Sequence, residues 1–233
     1  MLEVSALNQF YGGSHILWDL ALTVPERSRT FIIGRNGVGK TTLLKSIMGL
    51  LPIRSGVVRF AGVELGSRPP ESRARLGIGY VPQGREIFPD LDVEQNLLIG
   101  LGVRRLARSR EQALEYVFRV FPALAAIRRR RGGDLSGGQQ QQLAFGRALV
   151  LEPTLLILDE PTEGIQPNVV HELGDTILRL NEEEKLTVLV VEQKLPFARR
   201  IASRFSILDR GRCVASGAMS ELDDELIRRH LVV

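Results

Sequence analysis

The chain has 233 residues, a formal net charge of +4, 44% hydrophobic residues and 25% charged residues. Such a chain holds one domain, or a domain with a subdomain, around a sizeable core, and its composition is ordinary for a soluble globular protein. Its apolar runs, such as those at 155–158 and 188–191, fall far short of the roughly 18–20 residues that span a bilayer, and a single cysteine, Cys213, excludes an internal disulfide and fits a reducing cytosol.

In chain order, Leu2, Val4 and Ala6 alternate, as do Leu20, Leu22 and Val24, and both sets predict half-buried strands. The first residues lack a basic stretch followed by an apolar one, so no signal peptide is expected. Phe31, Ile32 and Ile33 predict a fully buried strand. A glycine-rich run, Gly34-Arg35-Asn36-Gly37-Val38-Gly39-Lys40-Thr41, follows it, and Thr42-Leu43-Leu44-Lys45-Ser46-Ile47-Met48 reads as a helix. Strand, glycine turn and helix with the spacing G-x-x-x-x-G-K-[ST] make a phosphate-binding loop. Its small residues let backbone N–H groups curl around a phosphate chain, and the helix N-terminus adds favourable partial charge. Lys40 is placed to reach the outer phosphates, and Thr41 to ligate Mg²⁺. The expectation is a nucleoside triphosphate site.

Residues 57–82 read as further strand and turn. From 93 to about 131 the pattern turns helical, with Leu114, Val117, Phe118 and Phe121 at i, i+3, i+4 and i+7. Ser136 is a suitable N-cap for a helix over 140–150, and Gly137 and Gly138 would let a phosphate approach its N-terminus. The apolar run before Asp159 and Glu160 predicts a buried strand ending in two carboxylates, with Asp159 to hold Mg²⁺ and Glu160 to polarise an attacking water. A last buried strand is expected over 188–191, and a short helix-like pattern follows Glu221. Buried strands separated by helices argue for an α/β fold with a mostly parallel sheet.

The set Gly34 to Thr41, Gln83, Leu135-Ser136-Gly137-Gly138-Gln139 and the strand into Asp159-Glu160, in this order, strongly resembles the ATP-binding-cassette ATPases over essentially the whole chain. The resemblance implies a P-loop core of about 1–88 and 150–233 with an antiparallel β subdomain near the N-terminus, and an inserted helical subdomain over about 89–149. It implies ATP and Mg²⁺ as ligands, Tyr11 as the aromatic that stacks on adenine, and Gln83 as the side chain that senses Mg²⁺ and γ-phosphate. Ser136, Gly137, Gly138 and Gln139 would close over ATP held by a second cassette in a head-to-tail dimer of two different polypeptides. The segment from Arg85 to Asn96 would touch one of two transmembrane permease subunits, with a substrate-binding protein acting indirectly. That arrangement places the chain peripherally on the cytoplasmic face of a membrane.

Three positions depart from the commonest family pattern. Gln193 stands where a histidine is usual, Gln166 where an aspartate follows the catalytic glutamate, and Gln142 where a basic residue follows the signature. Gln193 can hydrogen-bond a γ-phosphate but carries no titratable proton. The same changes resemble one clade, the ATPases for hydrophobic amino acids and amides. Within it the segments around Tyr11, Gln83 and Glu163 look most like the urea-uptake branch, with branched-chain amino acid importers as the alternative. A permease-free cassette acting on DNA or the ribosome is a further class. Only 53 residues separate Gln83 from Ser136, with no heptad run, which leaves no room for coiled-coil arms. The arginines at 104, 105, 108, 110 and 128–131 are not interleaved with aromatics, so they read as a solvated face and no nucleic-acid partner is expected. His15, His171 and His230 have no metal-ligand spacing.

Overall fold

The computed structural model describes residues 1–103 and 106–231; the predicted basic positions Arg104 and Arg105 lie outside them. The first strands are β1 (Leu2–Tyr11), β2 (Ser14–Val24) and β3 (Arg29–Ile33), followed by α1 (Lys40–Met48). Then come β4 (Ser55–Phe60), β5 (Val63–Glu64), α2 (Pro70–Arg75) and β6 (Ile78–Val81). A helical stretch holds α3 (Val93–Leu98), α4 (Arg110–Val120), α5 (Pro122–Ala125) and α6 (Gly137–Leu149). The remainder is β7 (Leu155–Asp159), α7 (Pro167–Glu184), β8 (Thr187–Glu192), α8 (Leu195–Ile201), β9 (Arg204–Asp209), β10 (Arg212–Ala218) and α9 (Asp224–His230).

Two sheets form. One is antiparallel in the order β2-β1-β4-β5, and the other runs β10-β9-β3-β8-β7-β6. In the second, β9, β3, β8, β7 and β6 are parallel and only β10 is antiparallel. The predicted mixed, mostly parallel α/β sheet with an antiparallel β unit is therefore what the chain adopts. The central strands are apolar through their middles, with polar residues kept to their ends, because both faces are covered. Leu156 and Leu158 of β7 and Val188 and Val190 of β8 join the core shared with α3 to α8. Their neighbours Leu155, Ile157, Leu189 and Val191 face the core shared with α1 and the antiparallel sheet.

Two local expectations are corrected. Ala6 does not continue the alternation of Leu2 and Val4: it is exposed with φ 47°, and Leu7 is the next buried residue. The register between β1 and β2 shifts between Val4 and Leu7, so a bulge carries the apolar face forward by one residue. The stretch 57–82 contains a helix, α2, as well as strands. Pro70 at its first turn, Glu71 beside it and Arg73 and Arg75 in its last turn suit a helix, but six residues are too few to show a 3.6-residue period.

Parallel strand order decides where the site lies. β3, β8, β7 and β6 are consecutive neighbours, with Ile33 opposite Glu192, Val191 opposite Asp159 and Leu158 opposite Val81. The residues that follow each strand therefore converge on one edge, where α/β sheets place their ligands.

Candidate functional site

The loop after β3 is shaped by its glycines. Gly39 precedes α1 with φ 105°, a conformation that side-chain-bearing residues avoid, and a Cβ at Gly34 would lie 2.4 Å from the Leu208 carbonyl oxygen. Lys40 opens α1 and is 4% exposed. Its ammonium donates to the carbonyls of Gly34 at 2.8 Å and Arg35 at 2.9 Å, and lies 3.5 Å from Glu160 Oε1. Burial holds the Lys40 ammonium below the usual lysine value, and the neighbouring carboxylates, Glu160 first, oppose that shift.

Asp159 ends β7, 1% exposed. The Thr41 hydroxyl donates to its Oδ1 at 3.2 Å and the Tyr80 hydroxyl to its Oδ2 at 3.4 Å. Burial pushes the Asp159 carboxyl up to about 6; the Glu160 charge adds to this, while the bonds from Thr41 and Tyr80 and the Lys40 charge oppose it. Glu160 follows with φ 47°, a left-handed conformation rare for glutamate, and its amide is tied to the Val191 carbonyl at 2.9 Å. Gln193 donates to Glu160 Oε1 at 2.8 Å. Gln83 donates to Glu160 Oε2 at 3.4 Å and to Glu163 Oε2 at 2.9 Å.

These groups surround a cleft of about 470 Å³, within the size range of small-ligand sites. Asn36, Gly37, Gly39, Lys40, Thr41 and Thr42 form its floor, and Gln83, Glu160, Glu163 and Gln193 one wall. Tyr11 and Ile16 supply the apolar side. Strand alternation separates the two adjacent aromatics: Tyr11 reaches the cleft, whereas Phe10 stacks on His15 with ring centroids 4.0 Å apart. Of the expected residues, Gly34, Arg35, Val38 and Asp159 do not line the cleft.

Ser136, Gly137, Gly138 and Gln139 also stand outside the cleft. They open α6 in a capping box: Ser136 Oγ accepts from the Gln139 amide at 3.3 Å, and Gln139 Oε1 accepts from the Ser136 amide at 3.0 Å. Gln166 caps α7 without a side-chain bond, and Gln142 Oε1 is buried with no hydrogen-bond partner among the described residues.

Sequence reasoning missed Ile16, Tyr80, Glu163 and Glu192. Glu192 is 3% exposed; its carboxylate accepts from Thr162 Oγ1 at 2.7 Å and from the amides of Gln193 at 2.8 Å and Lys194 at 3.1 Å. It thereby fixes the turn that presents Gln193. The one available signal was a carboxylate ending an apolar strand, the same pattern that singled out Asp159.

Mg²⁺ suits this donor set. The Thr41 hydroxyl and Asp159 carboxylate touch, Gln83 lines the same cleft, and all three offer hard oxygen atoms. Mg²⁺ is commonly held by one or two carboxylates together with substrate phosphates. That manner of binding needs no protein cage, and no cluster of three His, Cys, Asp or Glu that could hold a metal occurs among the described residues.

A second cleft, of about 370 Å³, lies between α1, α2, β6 and α6. Leu50, Ile99, Tyr80 and Leu151 line it, and Leu50, Ile99 and nearby Phe88 are large apolar residues at least 41% exposed. No helix among the described residues is long and apolar enough to cross a membrane.

Comparison with known proteins agrees with this geometry. The ABC transporter family profile matches residues 17–163. A probable branched-chain amino acid transport ATP-binding protein, LivF of Archaeoglobus fulgidus, is 40% identical over 95% of this chain and 94% of its own length. The high-affinity branched-chain amino acid transport ATP-binding protein BraG of Pseudomonas aeruginosa is 37% identical over 92% of this chain and 91% of its own. Among solved structures, a bacterial ABC transporter cassette determined as a dimer superposes with a TM-score of 0.84 at 26% identity, covering 94% of this chain and 99% of that one. The chain belongs to the ABC transporter family, as an ATP-hydrolysing ATP-binding subunit of its branched-chain amino acid transport clade.

Proposed function

We propose that the chain powers an importer for branched-chain amino acids. The relatives at 37–40% identity over nearly their whole length are named for that substrate class, which favours it over urea, the first expectation from the sequence. The observation that carries the energetic half of the reading is the convergence of Lys40, Thr41, Asp159, Glu160 and Gln193 at one sheet edge.

The nucleotide would lie with its base on Tyr11 and its phosphates over the loop from Gly34 to Thr41. Lys40, freed from the Gly34 and Arg35 carbonyls, would reach the outer phosphates. Thr41, Gln83 and Asp159 would hold Mg²⁺, which neutralises charge on the leaving phosphoryl group. Glu160 is placed to accept a hydrogen bond from the attacking water. Gln193 orients the Glu160 carboxylate and presents an amide to the γ-phosphate, without transferring a proton.

Ser136 to Gln139 lie outside this cleft, which supports their acting on a nucleotide held by a second cassette in a head-to-tail pair. The exposed apolar groove around Leu50 and Ile99 suits a helix of a membrane-embedded permease. The chain would then sit peripherally on the cytoplasmic face of the membrane.

The test is uptake of labelled leucine and labelled urea by the source cells with and without the gene. Loss of leucine uptake alone is expected. Loss of urea uptake alone would restore the urea reading, and no loss of either would reopen the permease-free classes.

A further inference from the structure

The segment that leaves Gln83 is strained. Gly84, Arg85 and Glu86 have φ of 79°, 71° and 45°, three consecutive residues in the left-handed region. Two of them carry side chains, and such conformations persist only where the surroundings over-determine them. Two arginines do so here. Arg147 of α6 donates to the Glu86 carbonyl, and its guanidinium lies 4.7 Å from the Phe88 ring centroid. Arg85 itself reaches four acceptors in two other segments. Its Nε donates to Gln141 Oε1 at 3.3 Å and its Nη1 to Gln140 Oε1 at 3.1 Å, both on α6. Its Nη2 donates to the carbonyls of Glu163 at 3.2 Å and Gly164 at 3.3 Å, in the loop after Glu160.

The surroundings are shaped to this guanidinium. A Cβ on Gly137, the first residue of α6, would lie 3.3 Å from both Arg85 terminal nitrogens and 3.2 Å from the Gly164 carbonyl oxygen. Gln141 is an amide only 4% exposed, turned toward Arg85. Glu163, whose carbonyl Arg85 holds, accepts at its carboxylate from Gln83. One planar cation therefore joins the loop carrying Gln83, the helix opened by Ser136 to Gln139, and the loop following Glu160.

We propose that Arg85 is a positioning residue that sets the orientation of α6, and with it the Ser136–Gln139 end, relative to the nucleotide cleft. The inference rests on the reading that this end acts on the nucleotide of a second cassette. Arg85 does not line the cleft of its own chain, so its loss leaves nucleotide affinity intact and slows turnover. Lysine does not substitute, because a single ammonium cannot meet acceptors spread over two segments in a planar fork.

The experiment compares wild type, Arg85→Ala, Arg85→Lys, Gln140→Ala and the double variant Arg85→Ala/Gln140→Ala. ATP turnover is measured in the assembled transporter purified through this chain. Dissociation of a fluorescent ATP analogue and backbone amide exchange are measured on the full chain alone. Expected are a turnover at least tenfold lower for both Arg85 variants, an affinity within twofold of wild type, and faster exchange at both 137–142 and 161–166. The double variant should lose little more than Arg85→Ala alone, since both remove one network. Turnover within twofold of wild type in Arg85→Ala overturns the proposal. So does a parallel fall of affinity and turnover, or rescue by lysine. Ser136→Arg is the separate control on the underlying reading: full turnover there refutes the two-cassette site itself, whatever Arg85 does.

Discussion

Replacing Asp159 by asparagine should make the chain more stable and less active. The carboxyl is 1% exposed and its pKa is pushed from 3.8 to about 6, chiefly by burial. The folded chain thus keeps a proton between about pH 4 and 6 that the unfolded chain has already released. The associated stability is full below about pH 4 and is lost as pH rises through 6. Above that, the ionised carboxylate costs about 3 kcal/mol relative to its neutral form, at 1.36 kcal/mol per pKa unit. Asparagine removes the charge at similar volume and keeps an oxygen to accept from Thr41, while the Tyr80 hydroxyl must turn to accept from the new amide. Weaker bonds to a neutral partner return about 1 kcal/mol, leaving a net gain of about 1–3 kcal/mol, or roughly 2–10 °C in Tm. Urea denaturation from pH 5 to 8 with a chelator present measures it. The gap between variant and wild type should widen as pH rises toward 7 and then level off. A variant less stable than wild type at pH 7.5, or a gap that does not change with pH, would refute the reasoning. With Mg²⁺ and ATP added the order should reverse, because wild type alone gains the ligand-linked stabilisation.

Four further outcomes are expected. Tyr11→Ala should weaken binding of a fluorescent ATP analogue about tenfold, the loss of one base–aromatic stack, while Tyr11→Phe retains it; equal affinity in all three proteins removes Tyr11 from the site. Glu160→Gln should bind ATP and lower turnover at least about a hundredfold, and a wild-type rate would strip Glu160 of its role. Gln193→Ala frees the Glu160 carboxylate from its 2.8 Å bond and should slow turnover with little change in nucleotide affinity; undiminished turnover would show that the amide does not matter. Ile99→Asp places a charge on the exposed apolar groove and should abolish co-purification of membrane subunits without changing nucleotide binding, whereas intact co-purification moves the docking surface elsewhere.

Much of the site could be read from the sequence because local pattern and topology cooperate. Apolar runs ending in Ile33, Leu158 and Val191 are buried strands, and once they lie parallel their following residues must meet at one edge. The phosphate loop, Asp159, Glu160 and Gln193 are all legible by that route. The side-chain pairings were not. Glu163 stands in the loop after Glu160, where the family pattern drew attention to Gln166 instead, yet it is Glu163 that accepts from Gln83 across 80 residues of chain. Arg85 meets Gln140 at 3.1 Å across 55 residues. Such contacts have no period and leave no local trace. The Ala6 bulge and the six-residue helix α2 escaped for the opposite reason, being shorter than the window in which a period shows.

Some of the residues that resist local rules fall together at the edge of the parallel sheet. Glutamate and arginine are poor left-handed residues, yet Glu160, directly after β7, and Arg85, in the loop that follows the neighbouring strand β6, are both held at positive φ. Asp159 is a buried carboxylate held by two hydroxyls, with the Lys40 ammonium opposing but not cancelling its raised pKa. Each lowers stability; Asp159 and Glu160 are retained where a nucleotide's charge would be received, whereas Arg85 stands outside that cleft and joins the loops around it. Asp19, Arg27, Ala61, Glu152, Lys185 and Arg210 are also left-handed and do not line the cleft, and the strain at Ala6, φ 47°, accompanies the register shift of β1. A left-handed side chain therefore does not by itself point to the cleft in this chain; Glu160 stands out because it coincides with buried charge at a strand end on the same edge, and that coincidence becomes visible once the strand order is known.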